Sequence, residues 1–251
     1  MFSLCIPTMN RFDDYLKKYL VDYLQNELID EIIISDENGN DIKKIIEYFG
    51  KNEKFKFNTN QTRQGPFINK IICCKMAKNN WIALIDSDNF ADKDYFIKMK
   101  NFIESNSLSK YTILSPDYAS RVFQWKSLTK SGNNLFNKYT YRKIEEFILN
   151  NNIKNENIKH LLNIGNYVIN KSIINDFHYD PQDVIVKKSN SYDVLLFLLI
   201  CFKELNIDLY LVKDCHYVHE LSKNSVYLEC ANEGRCYANK CYEEIFKLLK
   251  N

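Results

Sequence analysis

Short apolar runs rich in β-branched residues alternate with longer segments of helical period through the first half of the chain, and this alternation most narrows the folds open to it. Alternation of that kind builds stacked βαβ units around a mainly parallel sheet. The pattern predicts strands over Phe2 to Ile6, Glu31 to Ser35, Lys54 to Asn58 and Trp81 to Asp86, and a fifth over Tyr111 to Leu114. Between the first two, Leu16, Tyr19, Leu20, Tyr23, Leu24 and Leu28 recur on one helical face, with Asp13 as its expected cap. Asp41 to Phe49, Phe67 to Ala77 and a segment carrying Tyr95, Phe96, Met99, Phe102 and Ile103 read as the next three helices.

Beyond Pro116 the alternation gives way, up to Gly165, to a stretch rich in Asn, Lys and Tyr with a helix expected near Arg142 to Asn150. Order returns with a strand at Gly165 to Ile169 leading into Lys171 to Asp176. A strongly apolar helix follows at Tyr192 to Leu205, then a strand at Asp208 to Val212 and a closing amphipathic helix at Lys240 to Leu249. With no internal repeat and no long linker, residues 1–251 are expected to form one α/β domain. Its first part (1–115) carries the regular alternation, and its second (116–251) opens with the irregular stretch.

Composition removes several classes of partner. A net charge of +2, with Lys and Arg spread along the chain, leaves no basic stripe for nucleic acid. Eight cysteines would suit a disulfide framework by count alone, but a 251-residue chain can bury a core without staples, so reduced thiols are expected. Val194 to Phe202, the longest apolar run, is far short of the roughly 20 residues a spanning helix needs, so no membrane span is expected. Met1 to Pro7 runs straight into a strand-like segment with none of the features of a signal peptide, and the expected location is cytoplasmic.

The chemistry is concentrated where Trp81-Ile82-Ala83-Leu84-Ile85, an apolar strand, ends in Asp86-Ser87-Asp88-Asn89. In open parallel sheets ligands bind at the carboxyl ends of strands, so acids at that edge face a nucleotide cleft. A diphosphate leaving group concentrates negative charge, and a hard divalent cation held by carboxylate oxygens neutralises it. Asp92-Lys93-Asp94 repeats the spacing but opens a helix, where carboxylates serve as caps.

The Asp86-Ser87-Asp88 segment resembles the D-x-D element of GT-A glycosyltransferases. Leu4-Cys5-Ile6-Pro7-Thr8-Met9-Asn10-Arg11 resembles the first strand and turn of the family-two type, inverting enzymes. Glu31 to Ser35 with Asp36-Glu37-Asn38-Gly39 is similar to the second strand and its acidic turn, and Gln64-Gly65 to the loop before the D-x-D strand. The resemblance implies a GT-A (Rossmann-like) fold, a mainly parallel central sheet flanked by helices. It implies transfer of a sugar from a nucleoside diphosphate sugar, UDP ahead of GDP, to a glycan or other hydroxyl acceptor, with Mn²⁺ or Mg²⁺ as cofactor. Pro7, Thr8 and Arg11 would border the nucleotide, Asp36 would bond the base, Asp86 would face the ribose, and Asp88 would hold the metal.

Arg63, in the loop before Gln64-Gly65, is a candidate to reach a phosphate, although a surface Arg is also commonly just solvated. In the second half, Gly165-Asn166-Tyr167-Val168-Ile169-Asn170-Lys171 resembles the strand that begins the acceptor side, and Ser191-Tyr192-Asp193 the acidic opening of a helix. By that resemblance Asp193 would be the base, with Asp180 and Asp183 as fallbacks, and His219 would reach the metal. Plainer readings stand beside these: Asp36 as a turn residue, Asp193 as a helix N-cap, His219 as a polar strand end. A zinc cluster of His216, His219, Cys230, Cys236 and Cys241 lacks a C-x-x-C pair. The rival functions are a sugar-phosphate nucleotidyltransferase, for which the turn after the first strand lacks the glycine-rich loop, and a non-catalytic nucleotide-sugar binder.

Overall fold

In the computed structural model, which describes residues 1–121, 135–136, 162, 165–220 and 226–250, the expected alternation appears as strand β1 (Phe2–Thr8), β2 (Ile29–Asp36), β3 (Phe55–Thr59) and β4 (Trp81–Leu84). They are joined by α1 (Lys17–Gln25), α2 (Asn40–Phe49) and α3 (Pro66–Lys75). α4 (Lys93–Ser105) then leads to β5 (Thr112–Arg121), and β6 (Leu135–Phe136) and β7 (Val168–Asn170) follow. After β7 come α5 (Lys171–Asp176), α6 (Val184–Lys187), α7 (Asp193–Ile200), β8 (Asp208–His219) and α8 (Val226–Lys250).

The described strands form one eight-stranded sheet of order β3-β2-β1-β4-β7-β5-β8-β6. β3, β2, β1 and β4 run parallel, as do β5 and β8; β7 is antiparallel to both β4 and β5, and β6 to β8. The fold class is thus α/β with a mostly parallel sheet, as expected. Ile32-Ile33-Ile34 is a continuous apolar run because both faces of β2 are covered. Along β1 the faces alternate: Phe2 meets the ring of Phe96 on α4 at 5.7 Å, while the Cys5 thiol reaches the Cys73 carbonyl of α3 at 3.5 Å on the other side.

Several boundaries move. The first helix is preceded by a π-helical turn, Phe12–Leu16, and Asp13 lies inside it, paired with Lys44, so it does not cap the helix. β4 ends at Leu84 and leaves Asp86 and Asp88 on a turn closed by the Asn89 N–H on the Asp86 carbonyl at 2.9 Å. β5 and β8 run well past Leu114 and Val212. A bulge between Pro116 and Tyr118, where Asp117 accepts the Asp214 N–H at 3.2 Å, absorbs a polar break that reads in sequence as an end. The apolar segment splits into α7 and a π-helical turn, Cys201–Leu205. The expected helix over Arg142 to Asn150 lies outside the described residues.

α8 begins at Val226, well before Lys240. Gly234 interrupts its pattern, and glycine is a poor helix former, which hides the continuity in sequence. The packing requires it: a Cβ there would fall 1.8 Å from Ser191 Oγ and 3.2 Å from Ser191 Cβ. α8 thereby presses on the 3-10 turn Ser189–Ser191 immediately before α7, reinforced by Tyr192 stacked on Tyr237 at 5.9 Å. Among the described residues no helix is long and apolar enough to cross a membrane.

Candidate active site

A cleft of about 190 Å³ opens at the carboxyl ends of β1 and β4, lined by Pro7, Thr8, Arg11, Glu37, Arg63, Lys70, Asp86, Asp88, Asn190 and Asp193 among others. Its first wall is the turn after β1. Asp41, at the start of α2, ties that turn down: it accepts the Thr8 hydroxyl at 2.5 Å and the backbone N–H groups of Arg11 and Phe12, both at 2.9 Å. The held turn brings the Arg11 guanidinium to 3.8 Å from Asp88. Arg63 sits at the exposed rim.

The second wall is the turn after β4. The Asp86 N–H donates to Asn166 Oδ1 at 2.9 Å, and the Tyr95 hydroxyl donates to the Asn166 carbonyl at 2.7 Å. Gly165, at φ +66°, lets the backbone pass so close that a Cβ would lie 3.2 Å from Asp86 Oδ2. Burial, helped by the neighbouring charge of Asp86, pushes the Asp88 carboxyl up to about 6, and the Arg11 cation opposes the rise.

The third wall joins the two halves of the chain. Lys70 on α3 places its ammonium 2.8 Å from Asp86 Oδ1 and 2.6 Å from Asp193 Oδ2. Burial alone would lower the pKa of this lysine; the facing carboxylates of Asp193 and Asp86 more than reverse that and raise it. Burial raises the Asp193 carboxyl, with Lys70 opposing. Phe67, Phe177 and Phe197, with ring centroids 6.2 and 5.0 Å apart along the series, lock α3 against α7 beneath this contact.

Seven of the nine residues singled out in sequence thus meet in one cleft: Pro7, Thr8, Arg11, Arg63, Asp86, Asp88 and Asp193. Asp36 is not among them. It is fully buried, and its carboxylate accepts the N–H groups of Asn38, Asp41 and Ile42 at 3.2, 2.8 and 3.1 Å, capping α2. The acid that faces the cleft from this turn is its neighbour Glu37, 8% exposed, which accepts the Gln64 N–H at 2.7 Å through Oε2. Its Oε1 is buried, and Asn60 and the Gly65 N–H lie beside the carboxyl.

His219 also lies outside the cleft lining. At the end of β8 its Nδ1 is 2.9 Å from the Tyr217 hydroxyl; burial lowers its pKa, and the charge of Asp86 opposes the fall. Asp193 does not cap α7, whose N-cap is Tyr192 and shows no side-chain cap bond. Asp180 and Asp183 are exposed, and each bonds a local backbone N–H, Gln182 at 2.8 Å and Ile185 at 2.9 Å. His216 stacks on Tyr118 at 5.0 Å and faces Asp92 at 3.9 Å, while Cys241 is buried and Cys236 exposed. The Cys230 side chain lies outside the described residues.

Sequence reading overlooked Lys70, Glu37 and Asn190. Lys70 did carry a signal: it falls on the apolar face of α3, three residues after Phe67 and four before Cys74, where a cation needs a partner.

As for metal, the described residues hold no group of three or more His, Cys, Asp or Glu side chains arranged as a ready cation cage. The donor chemistry nevertheless fits a hard cation completed by ligand oxygens. Asp88 is a half-buried carboxylate beside a second carboxylate, offset by Arg11 at 3.8 Å and more weakly by the charge of Lys70.

Among solved structures, the chain is similar to S. aureus TarS 1-349, at 15% identity and a TM-score of 0.65 over 98% of this chain and 71% of that one. It is also similar to the complex of that fragment with UDP-GlcNAc, at 14% identity and 0.63 over 90% of this chain and 60% of that one. S. aureus TarS matches at 15% identity and 0.61 over 98% of this chain, which spans only 42% of its length. At such identities the likeness speaks for the fold. No curated protein matches the sequence. The model of "Glycosyl transferase family 2" matches residues 3–163, more than half of the chain and all three elements that bring Arg11, Lys70 and the Asp86 turn together, and the chain belongs to that family.

Proposed function

We propose that this glycosyltransferase moves a sugar from a UDP-sugar to an acceptor hydroxyl with inversion. The observation that carries the reading is the convergence of Arg11, Lys70, Asp86, Asp88 and Asp193 on one cleft at the strand ends. The fold relatives solved with UDP and with UDP-GlcNAc support a uridine donor. Residues 1–115 supply the donor side and 116–251 the acceptor side of one GT-A unit; Lys70 and Asp193 meet across that divide.

In this reading Pro7, Thr8 and Arg11 border the nucleotide, Arg63 approaches its phosphates from the rim, and Asp86 faces the ribose. Asp88 and His219 would hold Mn²⁺ or Mg²⁺, which would neutralise charge on the diphosphate. Asp193 takes the proton of the acceptor hydroxyl as that oxygen bonds the anomeric carbon; the bond from that carbon to the β-phosphate oxygen breaks and UDP leaves. Positioning of donor and acceptor supplies much of the rate. Incubation with UDP-GlcNAc, UDP-glucose and GDP-mannose, with Mn²⁺ and with EDTA, tests this: UDP should accumulate from a UDP-sugar in the Mn²⁺ arm. Release from none of them would leave a binder only.

We further infer that Glu37 takes the base contact expected of Asp36. An ionised carboxylate only accepts hydrogen bonds, so Glu37, which lines the cleft, suits the imide N–H of uracil and not the bare ring nitrogen of cytosine. Glu37→Gln keeps an acceptor for Gln64 and turns an amide N–H₂ toward the base. UDP should bind about tenfold more weakly and CDP more tightly by calorimetry, since a hydrogen bond to a charged group contributes about 1.5–3 kcal/mol. An unchanged UDP-to-CDP ratio would remove Glu37 from base recognition.

A further inference from the structure

Lys70 touches both halves of the reaction as proposed, and no part of that mechanism uses it. Its side chain rises from the buried face of α3 beside Phe67, Ile71, Tyr167, Val194 and Phe197, and only its ammonium reaches the polar cleft. There it is spent on two carboxylates, Asp86 at 2.8 Å and Asp193 at 2.6 Å, and Lys70 is itself 8% exposed. A charge in such surroundings is little screened by water, so its geometry is held firmly. Without it, Asp86 and Asp193 would repel one another across a desolvated gap, and Asp193, at the first turn of α7, could rotate away from the cleft.

We propose that Lys70 is a positioning residue, whose ammonium holds the Asp193 carboxylate in the orientation of a base and ties it to Asp86 on the donor side. The proposal rests on Asp193 being the base, and it adds what aims that base. The ammonium suits the task as a compact point charge on a flexible stem, able to donate to two separate carboxylates at once; a planar guanidinium would favour one of them bidentately. Donor-site geometry and base geometry then become one unit: a displacement of Asp86 is felt at Asp193 through a single nitrogen.

A double-mutant cycle tests it, with kcat, donor KM and melting temperature measured for Lys70→Met, Asp193→Asn and the pair. Lys70→Met should lower kcat about a hundredfold, the cost of misplacing a catalytic group by about an ångström, with a smaller change in donor KM. In the Asp193→Asn background the same Lys70→Met change should cost less than about threefold, because a residue acting through another has nothing left to aim. If the two losses multiply, or if the Lys70→Met loss lies wholly in donor KM, the positioning role is overturned. Asp193→Asn with full activity would overturn the base assignment and this proposal with it, whereas an inactive Asp193→Asn beside an active Lys70→Met overturns the Lys70 role alone. Should Lys70→Met not melt cooperatively, Lys70→Gln, which keeps an N–H donor without the charge, replaces it in the same cycle and is judged by the same outcomes.

Discussion

Asp193→Asn should bind UDP about as tightly as the unaltered chain and transfer sugar roughly a thousandfold more slowly. General bases contribute about 10²–10⁴ in rate, and an amide of the same shape removes the proton acceptor without opening a void. Lys70 would keep its contact with Asp86, so the donor side of the cleft should hold its geometry. The pH dependence of kcat in the unaltered enzyme offers a second check. Burial raises the Asp193 carboxyl above its ordinary 3.8, with Lys70 opposing and Asp86 adding to the rise. A base must be ionised to act, so the acidic limb of the profile should lie above the ordinary carboxylate range, activity falling as pH drops through it. Single-turnover kinetics with excess donor measures both; a variant within tenfold of the original kcat would remove Asp193 from the chemistry.

Asp88→Asn should lower UDP-sugar turnover by two to three orders of magnitude, about what removing one group that stabilises transition-state charge costs, and should abolish any difference between Mn²⁺ and EDTA. The same change should leave the fold intact and raise the melting temperature of the donor-free chain, since an ionised Asp88 is partly desolvated and repelled by Asp86, with Arg11 offsetting only part of it at 3.8 Å. Loss of activity together with gain of stability is the signature of a group held for function at a cost to the fold. A variant that keeps its activity and its response to Mn²⁺ would place the cation elsewhere.

The turn after β4 was readable in one dimension because its cause is local. An apolar strand that ends in two acids must deliver them to the sheet edge, whatever the rest of the chain does. Thr8, at the end of β1, and Arg11, in the turn after it, were named by the family resemblance, and the fold brings both to the same cleft. The acidic turn after β2 was not so readable. Asp36 and Glu37 are neighbours of like chemistry, and consecutive side chains on a strand end point to opposite sides. Which of them caps α2 and which faces the cleft depends on where α2 begins and where the Gln64 backbone passes. His219 was placed by its order in the chain; the fold sets it at the end of β8 beside Tyr217, near enough to Asp86 to feel its charge but outside the cleft lining.

Periodicity, strand-end acids and the order of the parts were enough to specify a mostly parallel α/β sheet, its family, and the edge at which ligands would be met, because each is written in the spacing of neighbouring residues. Lys70 and Asp193 stand 123 positions apart, and nothing in either segment names the other. Only packing decided their contact: α3 and α7 close over a shared aromatic floor, and the ammonium carried there meets Asp193 as well as Asp86 because a desolvated charge needs a partner.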